Sequence, residues 1–212
     1  MVEHVSHKME LTNAALERDF IEVRRLVNEG RDVNAVDQAN MSVVHRVALQ
    51  NDAEMVALVL ELGGDINARD HLQQTPIHLA SIHGATQVIE VLAANACIDI
   101  NARDVMGNTP LHVASRHARI SAISTLLKNG ADERKTVVGL TAWDLGVWFP
   151  AEPFTRVACQ ILLITSHYQR IHRIKLMQHS HAFAMGNHER LGAESHVRVL
   201  EPNILRMIFE LM

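Results

Sequence analysis

The sequence predicts an all-α solenoid of short helix-turn-helix repeats with an additional helical tail at its C-terminal end. Two observations carry that expectation. The stretch Thr75-Pro76-Ile77-His78-Leu79-Ala80 returns as Thr109-Pro110-Leu111-His112-Val113-Ala114, 34 residues later. The loop Asp32-Val33-Asn34-Ala35 returns as Asp65-Ile66-Asn67-Ala68, and Ile100-Asn101-Ala102 follows the same pattern. Self-similarity at that period marks units that bury their apolar faces only by stacking on their neighbours. Composition agrees: 48% of the 212 residues are hydrophobic but only 4% are aromatic, which suits layers of Leu, Ile, Val and Ala.

The hexad is a helix start. Thr75 and Thr109 are suited to cap the first turn with their hydroxyls. Pro76 and Pro110 then occupy the first helical position, where no N–H is missed. Ala80 and Ala114 are small enough to let helices of adjacent repeats approach closely. The hexads resemble the TPLHxA signature of the ankyrin repeat, and the Asp-Val/Ile-Asn-Ala loops resemble its GADVNA loop. The resemblance covers roughly residues 9–146 and implies helical repeats joined by β-hairpin-like loops. It also implies that His78 and His112 bridge neighbouring turns, and that Asn34, Asn67 and Asn101 tie each turn to the next. Such asparagines are hydroxylation targets in some ankyrin proteins.

In chain order, residues 1–8 read as an N-terminal extension, polar and without the apolar centre of a signal peptide. Residues 9–149 read as four repeats and a degenerate fifth. In repeat one, Leu11, Ala14 and Ala15 face inward, Phe20, Val23, Leu26 and Val27 form the helix behind them, and Gly30 ends it. The hexad is missing there, as suits a terminal cap. Repeat two runs from Asp37, with Ser42-Val43-Val44-His45 in place of the hexad and Met55, Val56, Leu58, Val59 and Leu60 in its outer helix. Repeat three runs from Asp70, with Gly84 dividing its helices and Val88, Ile89, Val91 and Leu92 in the core. Its exit holds one extra residue, which a bulge near Cys97 would absorb. Repeat four runs from Asp104 through Ile120, Ile123, Leu126 and Leu127 to Gly130. Gly139-Leu140-Thr141-Ala142-Trp143-Asp144-Leu145 looks like a decayed last repeat. Residues 150–212 read as a helical tail. Val157, Ile161, Ile164, Tyr168 and Ile171 follow the 3–4 spacing of one apolar stripe, expected to cap the stack. A His-rich linker follows, then a short apolar helix opened by Pro202.

The ankyrin resemblance implies a non-catalytic module that binds a partner protein through turn tips and inner helices. The tip positions not needed for packing are Gln38, Ala39, Met41, His71, Leu72, Gln74, Val105, Met106, Asn108, Val137, Val138 and Leu140. Those on the inner helices are Leu49, Gln50, Ile82, His83, Arg116 and His117. The tips turn apolar toward the C-terminal end, and a row of exposed apolar side chains marks a partner site. The competing reading is that the tail folds back and covers them.

Other chemistries find little support. No phosphate-cradling glycine loop and no nucleophile motif is present, so no enzyme is expected. Six tail histidines (His167, His172, His179, His181, His188 and His196) lack metal-ligand spacing, so neither metal nor cofactor is expected. Net charge is −4, and the tail from Phe154 holds seven Lys/Arg against four Asp/Glu, with thirteen and twenty in the rest. That balance gives no reason to expect a nucleic-acid partner. No apolar run is long enough to span a bilayer. Only Cys97 and Cys159 occur, so a reducing compartment, cytoplasmic or nuclear, is expected. The final helix offers an alternative function. Leu200-Glu201-Pro202-Asn203-Ile204-Leu205-Arg206-Met207-Ile208-Phe209 resembles the opening helix of an F-box and the F-box-like end of poxvirus ankyrin proteins. The resemblance implies that Leu200, Pro202, Ile204, Leu205, Ile208 and Phe209 dock on a Skp-type adaptor, making the chain a substrate receptor of a cullin-type ubiquitin ligase. The bland alternative is an amphipathic helix packed on the tail.

Overall fold

A computed structural model of the chain describes residues 10–132, 141, 142 and 163. Those residues form α1 (described over 10–16) and α2 (Phe20–Asn28) of the first repeat. The second repeat holds α3 (Val43–Leu49) and α4 (Ala53–Glu61), the third α5 (Pro76–His83) and α6 (Thr86–Ala93), and the fourth α7 (Pro110–Arg116) and α8 (Ile120–Lys128). No strand occurs among the described residues. The fold is the all-α solenoid that the repeat period predicts. Inner helices α3, α5 and α7 pack in sequence, and outer helices α4, α6 and α8 form the second layer behind them. By contacts the chain divides into two units, Met1–His167 and Tyr168–Met212, and every described residue lies in the first.

Burial follows the expected faces. Val23, Met55, Val56, Val59, Val88, Ile89, Leu92, Ile123 and Leu126 are fully or almost fully enclosed in one continuous core. Ala80 and Ala114 are wholly buried, so the small side chain is what the interhelical distance demands. Ala142 and Leu163 belong to the same core. The remaining readings of the fifth repeat, the tail stripe and the final helix lie outside the described residues.

Each hexad builds a capping box in which imidazole takes the place of the usual carboxamide or carboxylate. In repeat three the Thr75 N–H donates to His78 Nδ1 at 3.1 Å, with the Thr75 hydroxyl 2.8 Å from the same nitrogen. Ser42 and His45 repeat the arrangement, as do Thr109 and His112. A backbone N–H can only donate, so Nδ1 is the acceptor and the proton of the neutral ring sits on Nε2. From there it reaches the next repeat. His78 Nε2–H donates to the Asn108 carbonyl, and His45 Nε2–H to the Gln74 carbonyl, both at 3.1 Å.

The loop asparagines form a second ladder. Asn34 donates to the Gly63 carbonyl and accepts from the Asp65 N–H. Asn67 does the same with Cys97 and Asp99, and Asn101 accepts from the Asp132 N–H at 2.8 Å. The extra residue of repeat three is absorbed where expected. In repeat two the Gly64 N–H closes the helix end on the Val59 carbonyl. In repeat three Asn95 takes over: its side chain accepts from the Cys97 N–H and its carbonyl from the Ile98 N–H.

Candidate partner-binding surface

Every complete tip is built on one aspartate. Asp37 Oδ1 accepts the N–H groups of Ala39 and Met41. Asp70 Oδ1 accepts those of Leu72 and Gln74, and Asp104 Oδ1 those of Met106 and Asn108. Backbone bonds from Asp37 to Met41, Asp70 to Gln74 and Asp104 to Asn108 close the turns. Consecutive tips are tied through the His71 N–H to the Ala39 carbonyl and the Val105 N–H to the Leu72 carbonyl. The expected hairpin-like loops are therefore Asx-organised turns. These aspartates escaped the reading of the sequence as site-builders. The available signal was an Asp five residues before each of Ser42, Thr75 and Thr109.

Charge around the tips follows from those bonds. Burial pushes the Asp37 carboxyl up, but Arg46 and the Met41 and Ala39 N–H groups outweigh it and hold it below the usual carboxylate range. Burial lowers the affinity of His45 and His78 for a second proton; the Gln74 and Asn108 carbonyls oppose this only in part.

The proposed contact residues divide by exposure. Gln50, His71, Leu72, His83, Val105, Met106 and His117 are exposed, and Met41, Leu49, Gln74, Ile82 and Arg116 are half-buried. Leu72, Val105 and Met106 are 42%, 61% and 54% exposed, and they stand on adjacent tied tips. Asn108 departs from the expectation. It is 3% exposed, its side chain bonds Asp104, and its carbonyl receives His78. Its place is within the tip, because the imidazole ladder needs that carbonyl held still. Val138 and Leu140, like Val137, lie outside the described residues, as do Leu200, Pro202, Ile204, Leu205, Ile208 and Phe209.

The inner row reads differently. A shallow groove of about 570 Å³ opens at its N-terminal end, lined by Leu16, Arg18, Gln50, Asn51, Asp52, Ala53, Glu54 and Gln87. Toward the C-terminal end the row carries His83, Arg116, His117 and Arg119. The His117 ring is held below the usual imidazole range by burial and by the charges of Arg119, Arg116 and His83. Among the described residues no group of three or more His, Cys, Asp or Glu is disposed to hold a metal ion, and no helix is long and apolar enough to cross a membrane.

A family model of ankyrin repeats, spanning three copies, matches residues 11–104 and again residues 45–136. The chain belongs to the ankyrin repeat family. Members of that family are generally non-catalytic protein–protein interaction modules. The match ends at residue 136 and covers none of residues 150–212. A search of curated proteins finds no match.

Proposed function

We propose that the chain is a non-catalytic interaction module that binds a partner protein across its turn tips and inner helices. The observation that carries this is the apolar run Leu72, Val105 and Met106. Ile21 and Val36 are the other exposed large apolar side chains among the described residues; these three are open and adjacent. Their turns are held by Asp70 and Asp104, so a partner meets a prearranged surface and the cost of ordering it is small. The contact set runs from Met41 through His71, Leu72 and Gln74 to Val105 and Met106. On the inner face it includes Leu49, Gln50, Ile82, His83, Arg116 and His117. Residues 9–149 serve as the scaffold and 150–212 as a helical tail; the burial of Leu163 in the scaffold's core supports a tail that packs on the stack. The two-cysteine composition suits a cytoplasmic or nuclear setting.

The test is affinity capture from cell lysate with the full chain, read by mass spectrometry, beside a Leu72→Ser, Val105→Ser, Met106→Ser variant. Specific partners that bind the parent and disappear with the variant are expected. An unchanged set of partners would refute the tip surface. The substrate-receptor alternative rests on the F-box-like residues Leu200, Pro202, Ile204, Leu205, Ile208 and Phe209. A chain ending at His196 decides it: selective loss of a Skp-type adaptor and cullin would support ligase recruitment.

A further inference from the structure

The turn tips form a ladder in which each tip is held by the tip before it. Two backbone groups of each tip face that side. In repeat three the Arg69 carbonyl accepts from Asn40 Nδ2 at 2.6 Å, and the His71 N–H donates to the Ala39 carbonyl at 3.2 Å. In repeat four the Arg103 carbonyl accepts from Arg69 Nη1 at 2.8 Å, and the Val105 N–H donates to the Leu72 carbonyl at 2.9 Å. The carbonyl and the N–H stand two residues apart, the spacing at which an extended chain presents both to one neighbour.

At the first tip the same two groups are the Val36 carbonyl and the Gln38 N–H. Among the described residues neither has a hydrogen-bond partner. Val36 is 37% exposed and Gln38 is exposed, so a ligand can reach both. The edge also lacks what usually blunts one, an outward charge or a proline. Val36 stands where Arg69 and Arg103 bring a guanidinium to the Gln73 and Gly107 carbonyls of their own turns, so the first tip carries no such cation. Asp37 is turned inward, its carboxylate taken by the Ala39 and Met41 N–H groups and by Arg46. An uncharged edge with one acceptor and one donor matches another extended backbone, because main-chain hydrogen bonds carry that mode of recognition.

We propose that the partner protein adds an extended segment to this edge, donating a backbone N–H to the Val36 carbonyl and accepting from the Gln38 N–H. The segment is uncharged where it passes Val36, since a charge there would lose water without gaining a counter-charge. The proposal rests on the interaction-module reading and names how one border of that surface recognises its partner.

Gln38→Pro isolates the N–H. The Asn40 N–H closes the turn on the Asp37 carbonyl, and Gln38 is its second residue, with no positive φ there or at Ala39. Proline is favoured at that position, so the substitution removes the donor and leaves the turn. The experiment follows amide signals of the isotopically labelled full chain by NMR as a capped hexapeptide alternating Thr and Val is added to millimolar concentration. In the free chain the Gln38 amide should exchange quickly with solvent, and its signal should shift saturably with the peptide. Gln38→Ala, which keeps the N–H, should bind as the parent does. Gln38→Pro should melt no lower than the parent and lose binding. A peptide N-methylated throughout should fail to bind the parent, and it decides the matter should Gln38→Pro disturb the fold. Slow exchange of Gln38 in the free chain would mean that the chain covers its own edge. That outcome, an unshifted Gln38 signal, or full binding by Gln38→Pro or by the N-methylated peptide would each overturn the edge proposal. Capture that depends on Leu72, Val105 and Met106 would then still stand, so the two readings fail separately.

Discussion

His78 is neutral in the fold for a geometric reason. A proton on Nδ1 would displace the Thr75 N–H that this nitrogen accepts, and burial resists the charge as well. Asp104 and Asp70 pull the other way and Arg69 reinforces burial, yet the net direction is downward from 6.5. His45 is shifted in the same direction with burial as its largest cause. A folded value below the unfolded one means that the neutral ring contributes stability above the unfolded value. That contribution is complete above pH 6.5 and is lost as the pH falls from there through the depressed folded values. Urea unfolding should therefore show constant stability from neutral pH upward. Between the unfolded and folded values it should fall by up to about 1.4 kcal/mol per pH unit for each ring. His78→Gln should remove its share of that slope, and a profile unchanged by the substitution would contradict the lowered proton affinity of His78 in the fold. Backbone strain is the second feature at this scale. Asn40 and Gln73 hold φ of 58° and 59° at the tip position where repeat four has Gly107 at 77°. Asn tolerates that region; the longer Gln does so at a cost of about 1–2 kcal/mol, offset in part by the roughly 0.5–1 kcal/mol of entropy that glycine loses. Gln73→Gly should raise the unfolding free energy by about 0.5 kcal/mol, and Gly107→Gln should lower it. A thermal melt reads both, and opposite signs are the point of the comparison.

At the scale of the element, legibility divides by how local the cause is. The starts of α5 and α7 were readable because Thr, Pro and His act within four residues of one another. The Asn95 bulge was readable as a count, since the hexad spacing rises to 34 only if a residue is added before it. What filled the bulge was not, because an Asn side chain closing its own turn leaves no periodic trace. The tip aspartates were visible as letters and missed as causes. Their bonds run to backbone N–H groups, whose positions a sequence does not display. Asn108 was misplaced for the opposite reason. Its position in the tip suggests exposure, and only the fold shows that the His78 imidazole arrives there from the preceding repeat. The exposed run Leu72, Val105 and Met106 was legible because apolar residues at turn positions have no local structural use.

Across the stack as a whole, neighbouring repeats are not joined in the same way. Repeats two to three and three to four share the imidazole bonds of His45 and His78, made between buried rings and carbonyls. Repeat one has no hexad and hence no such ring. Among the ion pairs between described residues, those crossing from one repeat to the next are Arg18–Asp52, Arg18–Glu54 and Arg24–Glu61, and all of them join repeats one and two. Salt screens exposed pairs strongly and buried hydrogen bonds little. Arg18–Glu54 and Arg24–Glu61 are exposed on both sides and worth about 0.2–1 kcal/mol each, so repeat one should open independently of the centre, as the one-dimensional character of a solenoid permits. Amide hydrogen exchange on the full chain checks this. Protection in α2 should be lower than in α5 and α7, and raising the salt from about 0.05 to about 0.5 M should speed exchange in α2 by roughly two- to fivefold with little effect on α5. Arg24→Gln should reproduce part of the salt effect at low ionic strength. Equal protection along the stack, or a salt response shared by α5 and α7, would mean that the repeats open as one unit and that the ion pairs do not set the strength of the first interface.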